Sequence, residues 1–568
     1  MARGIRARTL MIAVAAAIPL AACSSTDPTP ASNDSTGAAG AKGGTVTVYH
    51  ENDFEHLDPV RSFVTDSSMA SKLISRKLME YKWDGAAEQI VLTNDLAETV
   101  EHSEDFKTWT FTLKDGLKYE DGTPIKAADI KYNVERSFVP DMSEGAPYAR
   151  QMVVCEEGYK GPYSPPGNNG GKGCSGITTP DDKTIVFTLQ TANPEFDHTT
   201  TMPTFAPVPE AKDTKTDYDN HPVSSGPYMI ENYERDKTLT LVRNPHWDAS
   251  TDEVRTALPD KFVFVFGQDP ATVDQRLILD GEADQASLSF SAVQPANLGK
   301  LNQPRVKDRV VEGEDVCRRY IAFNQQKELL KDQKLREALY VGLDRQAWIS
   351  GRGGERLNRL VDSIIPSSMK GYHEGNPFPA PPTGDVAKAK QLLAESGYNG
   401  ETLTLGTADV GVAVKAAEAA QASWKKIGVN IEIRKIVGAN YYTQQQNDES
   451  ATDLITAGWC YDWASLSSVV PPVLGPDTSQ AGKAGPNNYS RSQVGWDKMA
   501  EIREMSDNDA AQEAWSTLYD EIMKTAPLVP ISQDLNIYVT GSRITNATAD
   551  PNTGGLIDLA QIAVKPGS

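Results

Sequence analysis

The chain has 568 residues, with 77 acidic against 56 basic side chains and a formal net charge of −21. This length exceeds one ordinary hydrophobic core, so it predicts two or three domains. The acidic balance argues against nucleic acid and against an anionic lipid surface as partners.

The first residues are typical of an export signal that ends in a lipidated cysteine. Three arginines within the first eight residues precede an apolar run over residues 10–22, which is too short for a membrane-spanning helix. The next motif, Leu20-Ala21-Ala22-Cys23, resembles a lipobox, in which the cysteine thiol is diacylated before cleavage. We expect a signal peptide over 1–22 and membrane contact only through lipid on Cys23. An ordinary secretion signal with a chance cysteine is the alternative.

Residues 23–43 predict a lipidated flexible tether. After Cys23 they are Ser, Thr, Ala, Gly, Pro, Asn and Asp with a single lysine, Lys42. Such a composition cannot bury apolar surface. No later stretch is long and apolar enough to span a membrane, so we expect the rest of the chain to be a soluble, exported body.

From residue 44 onward, strand patterns alternate with helix patterns, which predicts an α/β fold. The predicted strands are 46–49, 108–113, 184–189, 402–405 and 430–435, and the predicted helices are 127–138, 270–280, 385–396 and 412–427. Asp269-Pro270 is typical of an N-cap followed by a first-turn proline. Three glycines, Gly281, Gly397 and Gly428, are expected to end helices, the last two in the left-handed conformation.

Four cysteines remain for the exported body, an even number that suggests two disulfides. Cys155 and Cys174 bracket a segment rich in Gly and Pro, which favours a bond between them. That pairing leaves Cys317 with Cys460. A redox or metal site is disfavoured because the sequence has no C-x-x-C spacing.

The sequence lacks the enzyme motifs that would indicate catalysis. It has no complete phosphate loop, no G-x-S-x-G elbow and no H-E-x-x-H pair. His50 and His56 lie among acidic residues, but loop histidines of this kind are more often solvated than metal-bound. We therefore predict no catalytic residues, no cofactor and no metal, although an active site assembled from distant residues would escape a motif search.

Several motifs occur in a fixed order along most of the chain. The longest is WTFTLKDGLKYEDGTPIKAADI over 109–130. Shorter ones include Leu57-Asp58-Pro59, Ser225-Gly226-Pro227-Tyr228, Arg243-Asn244-Pro245-His246-Trp247, Ile321-Ala322-Phe323-Asn324 and Gly458-Trp459-Cys460-Tyr461-Asp462. Together they resemble the bacterial extracellular solute-binding proteins of family 5, the peptide and nickel type.

The resemblance implies an α/β, two-lobed clamshell of the periplasmic-binding-protein type, the peptide-binding form. A two-strand hinge joins the lobes, and an extra domain is inserted early. Mapped onto this chain, lobe I comprises 44–83, 217–316 and 527–568, the inserted domain comprises 84–216, and lobe II comprises 317–526. Some peptide-binding relatives have cysteines at both positions that match Cys317 and Cys460, which favours that pairing.

The resemblance also implies a ligand cleft at the Gly458-Trp459-Cys460-Tyr461-Asp462 motif. Asp462 matches the aspartate that pairs with a peptide α-ammonium, and a cation in a water-poor cleft needs such a partner. A solvated or helix-capping aspartate is the alternative. The main chain of Gly458 and Cys460 is expected to pair with the ligand as an added strand, flanked by Phe63-Val64-Thr65.

Aromatic side chains are expected to line the same cleft. Trp459, Tyr461 and Trp463 are predicted to form a cluster, of which one or two rings belong to the hydrophobic core. Tyr148 matches a cleft tyrosine of the inserted domain. Some oligopeptide binders carry an arginine where this chain has Thr456, so peptide length and recognition of the C-terminus stay open.

Taken together, these inferences predict a monomeric substrate-binding lipoprotein of an ABC importer. It is expected to be exported and anchored at the extracytoplasmic face of the cell membrane. There it would capture a peptide between its lobes and deliver it to the permease and ATPase subunits. The alternative is the same fold with a non-peptide solute: a nickel chelate, an oligosaccharide, an opine or a signalling molecule.

Overall fold

A computed structural model describes residues 42–62, 65–84, 89–142, 144–164, 173–437, 441–477 and 482–566. The predicted signal peptide, Cys23 and nearly all of the tether lie outside the described residues, as do Phe63 and Val64. In the ranges that are described, no helix has both the length and the apolar composition needed to cross a bilayer.

Strands and helices alternate along the described residues, as the sequence pattern predicts. The strands are β1 Thr45–Tyr49, β2 Met79–Asp84, β3 Gln89–Asn94, β4 Ala97–His102, β5 Thr108–Leu113, β6 Ile177–Thr178, β7 Thr184–Thr188, β8 Tyr228–Glu234, β9 Thr238–Arg243, β10 Lys261–Val265, β11 Ser287–Ser289, β12 Val310–Phe323, β13 Asn358–Leu360, β14 Thr402–Ala408, β15 Asn430–Ile436, β16 Leu454–Trp459, β17 Leu528–Val539, β18 Ile544–Thr545, β19 Ala549–Asp550, β20 Leu556–Ile557 and β21 Ala563–Val564. The helices are α1 Thr65–Ile74, α2 Ala127–Arg136, α3 Tyr148–Met152, α4 Phe196–Thr199, α5 Pro270–Leu279, α6 Gln333–Gly342, α7 Arg345–Gly351, α8 Val386–Glu395, α9 Gly411–Ile427, α10 Tyr441–Gln446, α11 Val470–Leu474, α12 Trp496–Arg503 and α13 Asn508–Met523.

The first lobe is built on a sheet with the strand order β11-β1-β10-β9-β8. β1 runs parallel to both β10 and β11, whereas β9 runs antiparallel to both β10 and β8. Period-two alternation gives β10 one buried face, which carries Phe262 and Phe264. These rings share a core with α1 and with Leu559 and Ile562 near the C-terminus, so distant parts of the chain meet in this lobe.

The second lobe is built on a sheet with the order β13-β17-β12-β16-β14-β15. Two of its strands, β12 and β17, are long and antiparallel, and they form the two-strand hinge. At one end Tyr538 of β17 belongs to the core of the first lobe, and at the other Tyr320 and Ile321 of β12 belong to the core of the second. The pairing register shifts between Glu314 and Arg318, where the strands pass from one lobe to the other.

The inserted domain contains the sheet β4-β5-β7-β6. In β5, Trp109, Phe111 and Leu113 are buried and the intervening threonines are half-buried, which confirms the strand predicted from alternation. The buried face packs against α2 in a separate core that includes Ile130 and Val134.

Two buried ion-pair networks tie the inserted domain to the first lobe. Arg136 of α2 donates to both carboxylate oxygens of Asp58, at 2.8 and 2.6 Å. Asp95, between β3 and β4, accepts from Arg76 at 2.7 Å and from Arg255 at 3.0 and 2.9 Å. These carboxylates are fully buried. Each can therefore stay charged in the folded protein only because arginines pair with it. Asp58 of the Leu57-Asp58-Pro59 motif thus serves the packing of two domains.

The four cysteines of the described residues lie in the two predicted pairs at disulfide-bonding distance. The Cα atoms of Cys155 and Cys174 are 4.6 Å apart, and those of Cys317 and Cys460 are 4.0 Å apart. The first pair belongs to the inserted domain. The second pair joins β12, within the register shift between Glu314 and Arg318, to the residue that follows β16.

The predicted helix ends are only partly correct. Asp269 caps α5 as predicted, and Gly428 ends α9 in the left-handed conformation. After α5, however, the left-handed residue is Asp280 (φ 57°), whose carboxylate accepts from Ser542 N–H, whereas Gly281 has φ −60°. Gly397 is not left-handed either, because α8 already ends at an extended Ser396 and the N–H of Gly397 donates to Asp332.

Candidate functional site

The strand β16 offers an open main-chain edge where it leaves the second lobe. On one side it pairs with β12 along its whole length, from Leu454 to Trp459. On the other side β14 pairs only with Leu454 and Ile455. Among the described residues, no strand covers the edge beyond Thr456, so a further strand can be added there.

The register determines which groups point to this edge. Arg318 lies opposite Trp459, so Cys317 lies opposite Cys460, and their Cα separation of 4.0 Å is that of a non-hydrogen-bonded antiparallel pair. Since the two pair types alternate, Gly458 and Cys460 turn their N–H and C=O groups away from β12. Thr456 has the same parity, and its carbonyl indeed accepts from Tyr441 Oη at 2.6 Å. The geometry therefore suits the predicted pairing of Gly458 and Cys460 with a ligand main chain.

The glycine at 458 is required by a neighbouring side chain and not by the open edge. A Cβ atom there would lie 2.6 Å from a guanidinium nitrogen of Arg319 and 3.1 Å from its Cδ. Arg319 is held in place by Asp534, which accepts from its Nε at 2.9 Å and from a terminal nitrogen at 2.7 Å. A larger residue at 458 would displace this ion pair from the face of the sheet.

Asp462 lies three residues beyond β16, partly buried. It caps no described helix, and within the described residues it makes no ion pair. Burial raises the pKa of its carboxyl group, and the facing Tyr148 hydroxyl lowers it in part. Burial, with the charge of Asp462 as the next cause, raises the pKa of Tyr148 well above its ordinary value. Among the described residues no cation neutralises this carboxylate, so the site can accept a positively charged group.

The aromatic rings of Tyr148 and Trp463 pack against each other beside Asp462. Their ring centroids are 5.2 Å apart and the rings are nearly perpendicular, at 81°. Tyr148 begins α3 of the inserted domain, so this contact brings together two separate domains. The family resemblance predicted both residues near Asp462, and in the structure they lie beside it.

Among the described residues, no two of the rings of Trp459, Tyr461 and Trp463 stack or meet edge to face. Tyr461 belongs to the core of the second lobe, in line with the expectation that one or two of these rings are core residues. Trp459 packs on the core of the second lobe and donates to Ser468 O at 2.7 Å. Tyr461 is buried and its hydroxyl lies 3.4 Å from Pro551 O. Of the residues predicted to flank the ligand, Thr65 is the first residue of α1.

A buried glutamate of the inserted domain holds the residues that follow Asp462. Glu195 is 6% exposed. Its Oε1 accepts from Ser465 Oγ at 2.6 Å and from Gln512 Nε2 at 2.7 Å. Its Oε2 accepts from Trp463 Nε1 at 3.3 Å and from Ser467 Oγ. No sequence motif pointed to Glu195 or Gln512, since their partners lie far away along the chain.

We expect Glu195→Ala to loosen segment 463–467. The change removes the acceptor that four donors share, which destabilises the contact by about 1–3 kcal/mol. The loss is partial, because Gln512 Nε2 also donates to Asn508 Oδ1 at 3.1 Å and Trp463 Nε1 also donates to Ser467 Oγ at 3.2 Å. Hydrogen–deuterium exchange of residues 463–467 should become faster, while exchange of β5 stays the same. Glu195→Gln keeps two polar atoms and should show a smaller effect. Unchanged exchange in Glu195→Ala would contradict the assignment of this contact.

Comparison with known proteins places this geometry in a family. Residues 91–481 match the model described as bacterial extracellular solute-binding proteins, family 5 Middle. The periplasmic oligopeptide-binding protein OppA of Escherichia coli is 25% identical over 456 residues, which cover 76% of this chain and 78% of that protein. The glutathione-binding protein GsiB of Salmonella typhimurium is 24% identical over 532 residues, 91% of this chain and 94% of that protein.

A solved structure agrees with these relatives. The clavulanic acid biosynthesis oligopeptide binding protein 2 superposes with a TM-score of 0.83 at 28% identity, covering 93% of this chain and 96% of that one. The two-lobed fold with its hinge and inserted domain is therefore shared along nearly the whole chain.

Proposed function

Because this chain belongs to the bacterial extracellular solute-binding proteins of family 5, we propose that it captures peptides for an ABC importer. The observation that carries the proposal is the Asp462 carboxylate, which is partly buried without a cation among the described residues. Beside it, Gly458 and Cys460 offer main-chain groups at an open strand edge. An α-ammonium group on Asp462 and a main chain along that edge would together fit the amino-terminal part of a peptide.

The relatives support a peptide as the ligand class. Relatives of this chain include an oligopeptide-binding protein and a glutathione-binding protein, and both ligand classes carry a free amine next to amide groups. Hydrogen bonds to the peptide main chain give affinity that does not depend on the peptide side chains, which suits a carrier that accepts many sequences. Closure of the two lobes over the peptide would then select the form that docks on the permease and its ATPase.

The test is to identify the ligand that the protein carries. The mature protein is expressed in its native host and purified without denaturation, and the released ligand is analysed by mass spectrometry. A mixture of short peptides is the expected result. A single non-peptide compound, such as a nickel chelate, an oligosaccharide or an opine, would contradict the proposal.

We also propose the chain organisation predicted from the sequence. Lobe I would comprise 44–83, 217–316 and 527–568, the inserted domain 84–216, and lobe II 317–526. Its support is the core that α1 shares with Leu559 and Ile562. The protein would act as a monomer, since one cleft between its own lobes is sufficient for capture.

A lipid anchor on Cys23 completes the proposal, and it predicts the result of Cys23→Ser. The wild-type protein should incorporate a labelled palmitate analogue and sediment with membranes. The variant should carry no label and be released into the soluble fraction, because each buried methylene of the anchor contributes about 0.8 kcal/mol to membrane binding. Cys155→Ser with Cys174→Ser serves as the matched control and should keep the label. A variant at Cys23 that stays membrane-bound and labelled would contradict the anchor.

A further inference from the structure

One buried arginine beside the proposed cleft lacks the partner that its burial requires. The side chain of Arg318, on β12, is 3% exposed. Within the described residues, no carboxylate lies within ion-pair distance of it. One terminal nitrogen donates to Asp315 O at 3.2 Å, and Nε has no hydrogen-bond partner. Burial lowers the pKa of its guanidinium to about 10, against the opposing effects of Glu314 and Tyr461.

Three other buried arginines have the partners that Arg318 lacks. Arg136 and Arg255 are paired with carboxylates at 2.6 and 2.9 Å. Arg336 has no carboxylate partner, but its guanidinium donates to main-chain carbonyls, among them Leu330 O and Thr525 O, both at 2.7 Å. A buried guanidinium with one hydrogen bond is unfavourable unless a further group neutralises it. Compared with these three, Arg318 has neither a carboxylate nor a full set of carbonyl acceptors among the described residues, and a ligand could supply the missing partner.

Arg318 lies on the strand next to the one that carries the proposed site. Arg318 lies directly opposite Trp459, and cross-strand partners point to the same face of a sheet. Its charge acts on Tyr461, the residue next to Asp462. Three extended residues and one cross-strand step separate the Cα atoms of Arg318 and Asp462 by at most about 16 Å. An extended peptide of about five residues spans that distance.

We propose that Arg318 binds a carboxylate of the solute whose ammonium group lies on Asp462. This inference rests on the proposed function and narrows it to short peptides, of about two to five residues, with a free carboxyl terminus. A planar guanidinium suits a carboxylate because it can donate two parallel hydrogen bonds. The arginine missing at Thr456 would thus be replaced by one on the hinge strand.

The experiment compares free-acid and amidated peptides on wild type and on Arg318→Met. The probe is a synthetic mixture of tripeptides with free amino termini, prepared both as free acids and as C-terminal amides, with binding read by native mass spectrometry. Wild type should prefer the free acids by roughly tenfold or more, and Arg318→Met should bind both forms alike. Arg318→Lys should restore part of the preference. Arg276→Met, which removes a cation from the first lobe, should leave the preference unchanged.

Thermal unfolding of the ligand-free variant separates binding from a structural role. Methionine at a buried, unpaired arginine should leave the Tm unchanged or raise it. A lowered Tm with equal loss of both peptide forms would assign Arg318 to the fold and overturn the inference. Retention of the preference in Arg318→Met, or no preference in a wild type that binds both forms, would also overturn it. A wild type that binds no peptide at all would contradict the proposed function itself.

Discussion

Replacing Asp462 by asparagine is expected to weaken the binding of peptides with a free amino terminus by about 30- to 1,000-fold. Asparagine has nearly the same shape, but it carries no charge to neutralise a buried ammonium group. N-acetylated peptides have no such group, so their weaker binding should be nearly the same in wild type and variant. Isothermal titration with matched free and acetylated peptides measures the difference.

The pH dependence of binding should follow from the same carboxyl group. Burial raises the pKa of Asp462, so the ligand-free protein takes up a proton at a higher pH than an exposed aspartate does. Binding of an ammonium group needs the ionised form, and affinity should therefore fall as the pH is lowered toward this raised pKa. In Tyr148→Phe the opposing hydroxyl is lost, so the fall in affinity should begin at a higher pH.

Equal losses for free and acetylated peptides in Asp462→Asn would exclude the ammonium-binding role.

Replacing Asp95 by alanine should destabilise the fold by about 3 kcal/mol, because Arg76 and Arg255 would lose the carboxylate that binds both of them most closely. Asp252, at 3.7 Å from Arg76 and 3.2 Å from Arg255, would remain as a partial substitute. Asp95 accepts from both guanidinium groups and from Lys77 N–H at 3.0 Å. Denaturant unfolding followed by circular dichroism gives the loss. The matched control is Asp115→Ala, which breaks an exposed ion pair with Lys183 and should change stability by less than about 1 kcal/mol.

The ion pairs of Asp95 with Arg76 and Arg255 should also make the stability of the protein depend on pH in acid. The two arginines hold the pKa of Asp95 well below its ordinary range. A carboxyl group with a lowered pKa in the folded state contributes stability that is complete above its unfolded pKa, about 3.9, and is lost as the pH falls below it. Wild type should therefore lose stability below about pH 4 more steeply than Asp95→Ala. Parallel curves for the two proteins would contradict the assignment.

The sequence predicted the elements whose causes are local. Alternating residues predicted β5, and Asp269-Pro270 predicted the start of α5, because both patterns act within a few residues. The end of α5 was misplaced by one residue, since Asp280 adopts the left-handed conformation with help from Ser542, which is distant in the chain. A pattern of neighbouring residues cannot predict a hydrogen-bond partner that lies more than 200 residues away in the chain.

The candidate site shows the same division. The resemblance located Asp462, Tyr148 and Trp463, which the structure brings together. Glu195 escaped prediction because the groups that donate to its carboxylate reach it only after the domains have packed. The sequence does contain one indication of Arg318, since Arg318 and Arg319 are adjacent and directly precede the apolar segment Tyr320–Phe323. Adjacent strand residues point to opposite faces, so in a sheet that is covered on one face one of the two arginines is buried.

The contact made by Glu195 has a consequence for the medium in which the protein works. Its donors among the described residues are hydroxyl, amide and indole groups, and none of them carries a charge. Dissolved salt screens attraction between exposed ions but has little effect on buried hydrogen bonds to neutral groups. In a chain with a net charge of −21, this contact between the inserted domain and the second lobe should hold equally well in dilute and in saline surroundings. Outside the cytoplasm, ionic strength is set by the environment and not by the cell.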